Sequence, residues 1–239
     1  PIVIRLIIGR GWGQGPTHSQ SLQSWFAHVP GLKVVMPSTP KDAKGLLISS
    51  IFDENPVVFL EHRWLHEQES DDVPKESFQI PIGKAKVLRE GKDITIVGMS
   101  YMSMEALRAV NFLETQNISC ELIDLRSIKP MDWELIFSSV KKTKRLLVLD
   151  TSSVTGSISG EIVAKTTTEL FSEMISPPTR IGMPDVPVPT SFALTKDFYP
   201  SSIDIIDSVA KTLGIKVNTE EFDLNTPHDI PGEWFKGPF

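Results

Sequence analysis

The chain has 239 residues, 40% of them hydrophobic and 23% charged, enough apolar content to bury one large core or two smaller ones, which excludes a largely disordered protein. A formal net charge of -6 gives no long-range attraction to phosphate backbones, so nucleic acid is not the expected partner. The one cysteine, Cys120, excludes an intrachain disulfide and any zinc or iron-sulfur site built from several thiolates; in the run Ile118 to Asp124 it reads as a structural thiol in a buried strand, which fits cytoplasm or an organelle matrix.

The opening run PIVIRLIIGR is too short to cross a bilayer and lacks the basic leader and cleavage pattern of a secretory signal, so no membrane segment is expected there. It reads as a strand that begins at once, either a native edge strand or the start of a chain inside a domain. GRGWGQGPTH, Gly9 to His18, follows as a glycine loop, because glycine permits tight bends and close approach of the backbone to a ligand. Gln20 to Phe26 then reads as a short helix and GLKVVMP as a strand. Thr39 caps a helix whose first residue is Pro40, with Asp42 at its positive end, and which stops near Asp53. PVVFLE is a strand, and from His62 to Ser77 the apolar period fails, which marks a polar linker or exposed loop.

Two strand-like runs then flank the turn Glu90-Gly91. Ser100 or Ser103 caps a helix carrying Ala106, Leu107, Val110 and Leu113; CELIDL is a strand; Asp132 begins a helix through Val140; and RLLVLD is another strand. SGEIVAKTTTELF is a helix, PPTRIGM a strand, and Ser201 to about Leu213 a last helix with Ile203, Ile206, Val209 and Ala210 on one side. Alternating strands and helices predict α/β layers. The stretch from Thr219 to Phe239, with three prolines and scattered aromatics, is expected to be an extended tail.

From the residues alone, His18 is either a proton-transfer group, since it follows a flexible loop and an imidazole titrates near neutral pH, or a structural or surface histidine. Ser19 lacks the strand-elbow-helix context of a hydrolase nucleophile. His62 and His66 sit four apart, but HRWLH lacks the glutamate of a zinc-protease motif; the pair is either a polar rim, the first reading, or a site for a borderline metal. Asp53 and Asn55 are either hard oxygen donors or an Asx turn that stops a helix.

The runs GPTHSQSLQSWFAHVPGLKVVMPSTPKDAKGLL, FDENPVVFLEH, IPIGKAKVLREGKDITIV, IDLRSIKPMDWELIFSSVKKTKRLLVLD, GSISGEI and PDVPVPTS resemble the beta subunit of thiamine-diphosphate-dependent 2-oxo acid dehydrogenases and, more distantly, transketolase. The resemblance covers almost Pro1 to Ile215. It implies an α/β fold with a partial pyrimidine-binding domain and linker over 1–75, a three-layer domain like the transketolase C-terminal domain over 76–215, and an extended tail over 216–239.

It also implies a glutamate that activates the aminopyrimidine and an aromatic that stacks on it, both before Pro1 in about 100 further residues. Glu61 does not take that glutamate's role. His18 matches the family's active-site histidine, with Gly13, Gly15 and Pro16 shaping its loop and Ser19 and Gln20 holding it. A potassium site maps onto Ile2 and Ser50, through backbone carbonyls, and onto Asp53 and Asn55; which residues contact thiamine diphosphate is left open. The implied activity is oxidative decarboxylation of a 2-oxo acid with acyl transfer to lipoyl-lysine, using thiamine diphosphate and magnesium. The implied partners are an alpha subunit, a second beta subunit and the lipoyl domain of an acyltransferase, in cytoplasm or mitochondrial matrix. The chain alone is expected to be inactive. Two alternatives remain: a noncatalytic assembly or scaffold protein, and a transketolase-like sugar enzyme.

Overall fold

Runs rich in Val, Ile and Leu, separated by helices with capped starts, favour parallel strands joined by crossovers. In the computed structural model, which describes residues 1–9, 14–66, 72–195, 198–220 and 222, they build two sheets. The chain begins with β1 (Val3–Ile8), the single turn α1 (Gly15–His18), α2 (Gln23–His28), β2 (Lys33–Val35), α3 (Pro40–Phe52) and β3 (Val57–His62). β1 and β2 flank β3, both parallel to it. The boundaries of α3 follow from its chemistry: the Thr39 hydroxyl accepts from the Asp42 N–H at 3.2 Å, Pro40 sits where no amide hydrogen is needed, and the chain turns extended at Asp53.

The second section runs β4 (Lys86–Arg89), β5 (Ile94–Gly98), α4 (Tyr101–Thr115), β6 (Cys120–Asp124), β7 (Ser127–Lys129), α5 (Trp133–Thr143), β8 (Leu146–Ser153), α6 (Ile158–Leu170), β9 (Thr179–Met183), the short α7 (Phe192–Thr195) and α8 (Ser202–Leu213). Its sheet has the order β4-β6-β5-β8-β9, parallel except for β4 at one edge. Ile94, Ile96 and Leu122 on one face pack against Ala106, Val110 and Leu113 of α4 and Ile205, Ile206 and Val209 of α8. Val97, Ile123 and Val148 on the other face pack against Ile136 and Val140 of α5 and Ile162 of α6, which makes three layers. Val34, Val58 and Leu60 of the first sheet belong to that same buried cluster, so one core joins the sections.

Three features depart from the sequence expectation. β7 was not foreseen: it leaves the second section and pairs antiparallel with β2, completing the order β1-β3-β2-β7. Ser100 occupies the cap position of α4 without a side-chain cap bond, while Ser103 lies inside the helix and donates to Asp124 at 2.8 Å. On α8 the buried side includes Ile205 rather than Ile203. The expected tail falls mostly outside the described residues.

Candidate active site and its comparison with known proteins

His18 ends α1, on the connection that leaves the carboxyl end of β1, the side of an open parallel sheet where ligands gather. Residues on either side of it fix the loop. Gly9 has φ +83°, and an added Cβ would stand 2.1 Å from Nε2 of His62, so only glycine lets the chain pass over that imidazole. The Gly9 N–H donates to the Gln20 carbonyl at 3.1 Å and closes the loop at its base. Gly15, at φ +62°, packs on Thr190, whose Oγ1 would lie 2.6 Å from an added Cβ. Ser19 and Ser21 are buried while Thr17 and His18 are exposed. Gly13 lies outside the described residues.

His62 is a correction to the sequence reading. It is buried rather than part of a polar rim, stacked on Tyr101 with centroids 4.9 Å apart, and its Nδ1 accepts from the Trp64 N–H at 3.3 Å. That acceptor role puts the ring hydrogen of a neutral imidazole on Nε2. His66, by contrast, is exposed. Glu61 is held by Arg5 across β1 and β3 at 2.7 Å.

Gln23 and Asp150 were not singled out from the sequence. Both are fully buried, and Gln23 Nε2 donates to Asp150 Oδ1 at 2.6 Å, joining the start of α2 to the end of β8. The one available signal was the position of Asp150 at the carboxyl end of an apolar run.

At the other end of the first sheet, α3 finishes with no basic residue in its last turn, which leaves a carbonyl-rich, electronegative end. The Ile2 carbonyl accepts from Val57 N at 2.9 Å and that of Ser50 from Asp53 N at 3.4 Å, each keeping a second lone pair. The Asp53 carboxylate is already engaged: Oδ2 meets Lys33 Nζ at 2.5 Å, and Oδ1 accepts from Asn55 N at 2.9 Å and Nδ2 at 3.0 Å. Burial opposes its charge, but Lys33 and Asn55 together hold its carboxyl below the usual range. Asp53 therefore acts as an Asx-turn anchor whose carboxylate is occupied by Lys33 and Asn55. Among the described residues no group of three or more His, Cys, Asp or Glu side chains could hold a metal ion, so no acidic magnesium cradle is assembled there.

Known proteins resemble the chain in sequence and in fold. Residues 1–68 match the transketolase pyrimidine binding domain and residues 83–205 the transketolase C-terminal domain. The chain is 42% identical over 213 residues to the mitochondrial 2-oxoisovalerate dehydrogenase subunit beta 2 of Arabidopsis thaliana, covering 89% of this chain and 59% of that protein. It is 42% identical over 211 residues to the pyruvate dehydrogenase E1 component subunit beta of Rickettsia conorii, covering 88% of this chain and 64% of that one. The chain thus spans less than two thirds of the length of these relatives. A solved structure described as a split-gene transketolase, an inactive beta4 tetramer, superposes with a TM-score of 0.71 at 25% identity, covering 90% of this chain and 67% of that one. The chain belongs to the transketolase-type family, as a pyrimidine-binding segment followed by a transketolase C-terminal domain of the kind found in 2-oxo acid dehydrogenase beta subunits.

Proposed function

We propose that the chain supplies the beta side of an interfacial active site that decarboxylates a 2-oxo acid and passes the acyl group to lipoyl-lysine, with His18 handling the proton. The observation that carries this reading is the exposed imidazole on a loop in which Ser19 and Ser21 are buried and the Gly9 N–H is bonded to the Gln20 carbonyl. Thiamine diphosphate, bound with magnesium, supplies the electron sink for such a decarboxylation. His18 accepts or returns a proton at the reacting end of the substrate, while Gly15 and Pro16 set its approach. An alpha subunit holds the diphosphate, and a second beta subunit completes the assembly. Potassium binds the Ile2 and Ser50 carbonyls beside Asp53 and Asn55 in a structural role; rubidium replacement with anomalous scattering tests this, and ordered water alone there would count against it.

The deciding experiment is His18→Ala in the assembled alpha/beta enzyme, with cofactor affinity measured beside single-turnover transfer to a lipoyl domain. Affinity near wild type with transfer lowered by about 100-fold or more is expected, the usual scale for a lost acid-base group. Wild-type transfer in a correctly assembled variant would sink the assignment. The alternative reading is a noncatalytic assembly protein. An assembled wild type that binds cofactor but transfers nothing would select it.

A further inference from the structure

We propose that Gln23 and Asp150 are positioning residues that anchor the His18 loop to the C-terminal sheet; the proposal rests on His18 being the proton-handling group. A group that transfers protons must stand within hydrogen-bond reach of its substrate, and a loop side chain holds such a position only when its supports are themselves locked. The Gly9–Gln20 bond closes the loop on the first section alone. Gln23 provides a polar tie to the second section: Nε2 donates to Asp150 Oδ1 at 2.6 Å and to Thr151 Oγ1 at 3.0 Å. A carboxylate only accepts, so the orientation of the Gln23 amide is dictated by its partner.

Asp150 is held independently of Gln23. Its Oδ1 also accepts from the Ser152 N–H and hydroxyl, both at 3.0 Å, and Oδ2 accepts from the Ser159 N–H at 2.9 Å in the first turn of α6. These partners are neutral donors, and the positive end of α6 complements the carboxylate. The anchor is therefore a rigid acceptor built by β8 and α6, and Gln23 is the leg that reaches it across 127 residues of sequence. An apolar pair at this buried contact would pack without fixing an orientation, whereas an amide on a fixed carboxylate fixes one.

Two variants of the full chain test this, Gln23→Leu and Gln23→Glu. Leucine keeps much of the volume and removes both bonds; glutamate opposes two carboxylates when ionised and restores one bond when protonated. Site-resolved hydrogen exchange should be faster by about tenfold or more over residues 14–23 in Gln23→Leu, with α4 and β5 unchanged. In Gln23→Glu the same segment should be protected at pH 5 and loosened at pH 8, after correction for intrinsic rates. In the assembled enzyme Gln23→Leu should lower kcat by about tenfold or more and leave KM within about twofold. Unchanged exchange over 14–23 in both variants, or loosening spread through the whole chain in both, would overturn the anchor. A loosened loop with normal transfer overturns the positioning role if His18→Ala abolishes transfer. If His18→Ala also transfers normally, the reading of His18 fails and the anchoring contact stands.

Discussion

Replacing Asp124 by asparagine should change how stability depends on pH. Asp124 ends β6, is fully buried, and accepts from the Ser103 hydroxyl at 2.8 Å. Burial pushes its carboxyl up to about 6; the Ser103 and Ser38 hydroxyls pull against that rise, the Asp42 carboxylate adds to it, and Arg126 reduces it. The groups facing Asp124 thus come from α4, the β2–α3 turn, α3 and the β6–β7 turn. In the unfolded chain the carboxyl returns to about 3.8. Between those two values the folded state keeps a proton that the unfolded chain has released. The free energy of unfolding then falls by about 1.4 kcal/mol per pH unit as pH rises, about 3 kcal/mol in all, and levels off above pH 6. The amide introduced by Asp124→Asn keeps an acceptor for Ser103 and has no titrating proton to hold. The variant should gain about 3 kcal/mol on the wild type between pH 3.5 and pH 7, whatever its offset at low pH. Urea unfolding of both proteins at closely spaced pH values measures this, and the difference cancels carboxylates common to both, such as Asp53. A wild-type-minus-variant difference constant to within about 0.5 kcal/mol over that range would refute the reasoning.

Arg126 donates to the buried Asp42 at 2.9 Å and to the carbonyls of Lys84 and Ala85, so Arg126→Met should cost about 3 kcal/mol by leaving Asp42 with only Thr39 and the more distant Lys86; a loss below about 1 kcal/mol in urea unfolding would show the ion pair to be dispensable. Cys120 is buried and its thiol is raised to about 12, by burial first and then by Asp93, so a thiol reagent at pH 8 should label it only at the rate of unfolding, and fast labelling of the native chain would contradict the strand placement. Gly9→Ala must both strain a positive φ and displace His62, so its midpoint of thermal unfolding should fall by several degrees, and an unchanged midpoint would mean the loop does not pass over that ring.

What the sequence disclosed was local. Thr39, Pro40 and Asp42 carry the start of α3 within four residues, and the strands β1, β3, β5, β6 and β8 announce themselves as apolar runs. β7 had no such signal: Ser127-Ile-Lys is three residues long, two of them polar, and becomes a strand because β2 offers it an edge. His62 looked like a rim residue because its neighbours Arg63 and His66 are polar, and its burial depends on Gly9, far away in sequence, having no Cβ. The same holds for the site. The loop placement of His18 was legible from the glycines before it, whereas Gln23 and Asp150 acquire meaning only through a contact between the two sections.

Two family domains joined by a polar stretch suggest modules that move independently, but the contacts argue otherwise. Segment 78–82 is strapped to α3: Ile80 N donates to the Gly45 carbonyl at 3.2 Å, the Ser49 hydroxyl to the Ile80 carbonyl at 2.6 Å, and Gly45 leaves the space that Phe78 and Ile80 occupy. Met36 N donates to the Arg126 carbonyl at 2.7 Å, and Lys129 Nζ to the Ala27 carbonyl at 2.6 Å. Val34, Met36, Val58 and Leu60 are buried in one cluster with Val97, Ile123 and Ile136, so parting the sections would expose all of them. At about 1.5–3 kcal/mol per large apolar side chain, that exposure rivals the whole stability of an ordinary domain. A hinge between the sheets is therefore energetically closed, and the C-terminal section acts on His18 as a fixed support: β7 braces the sheet that carries the loop, Thr190 abuts Gly15, and Asp150 holds Gln23.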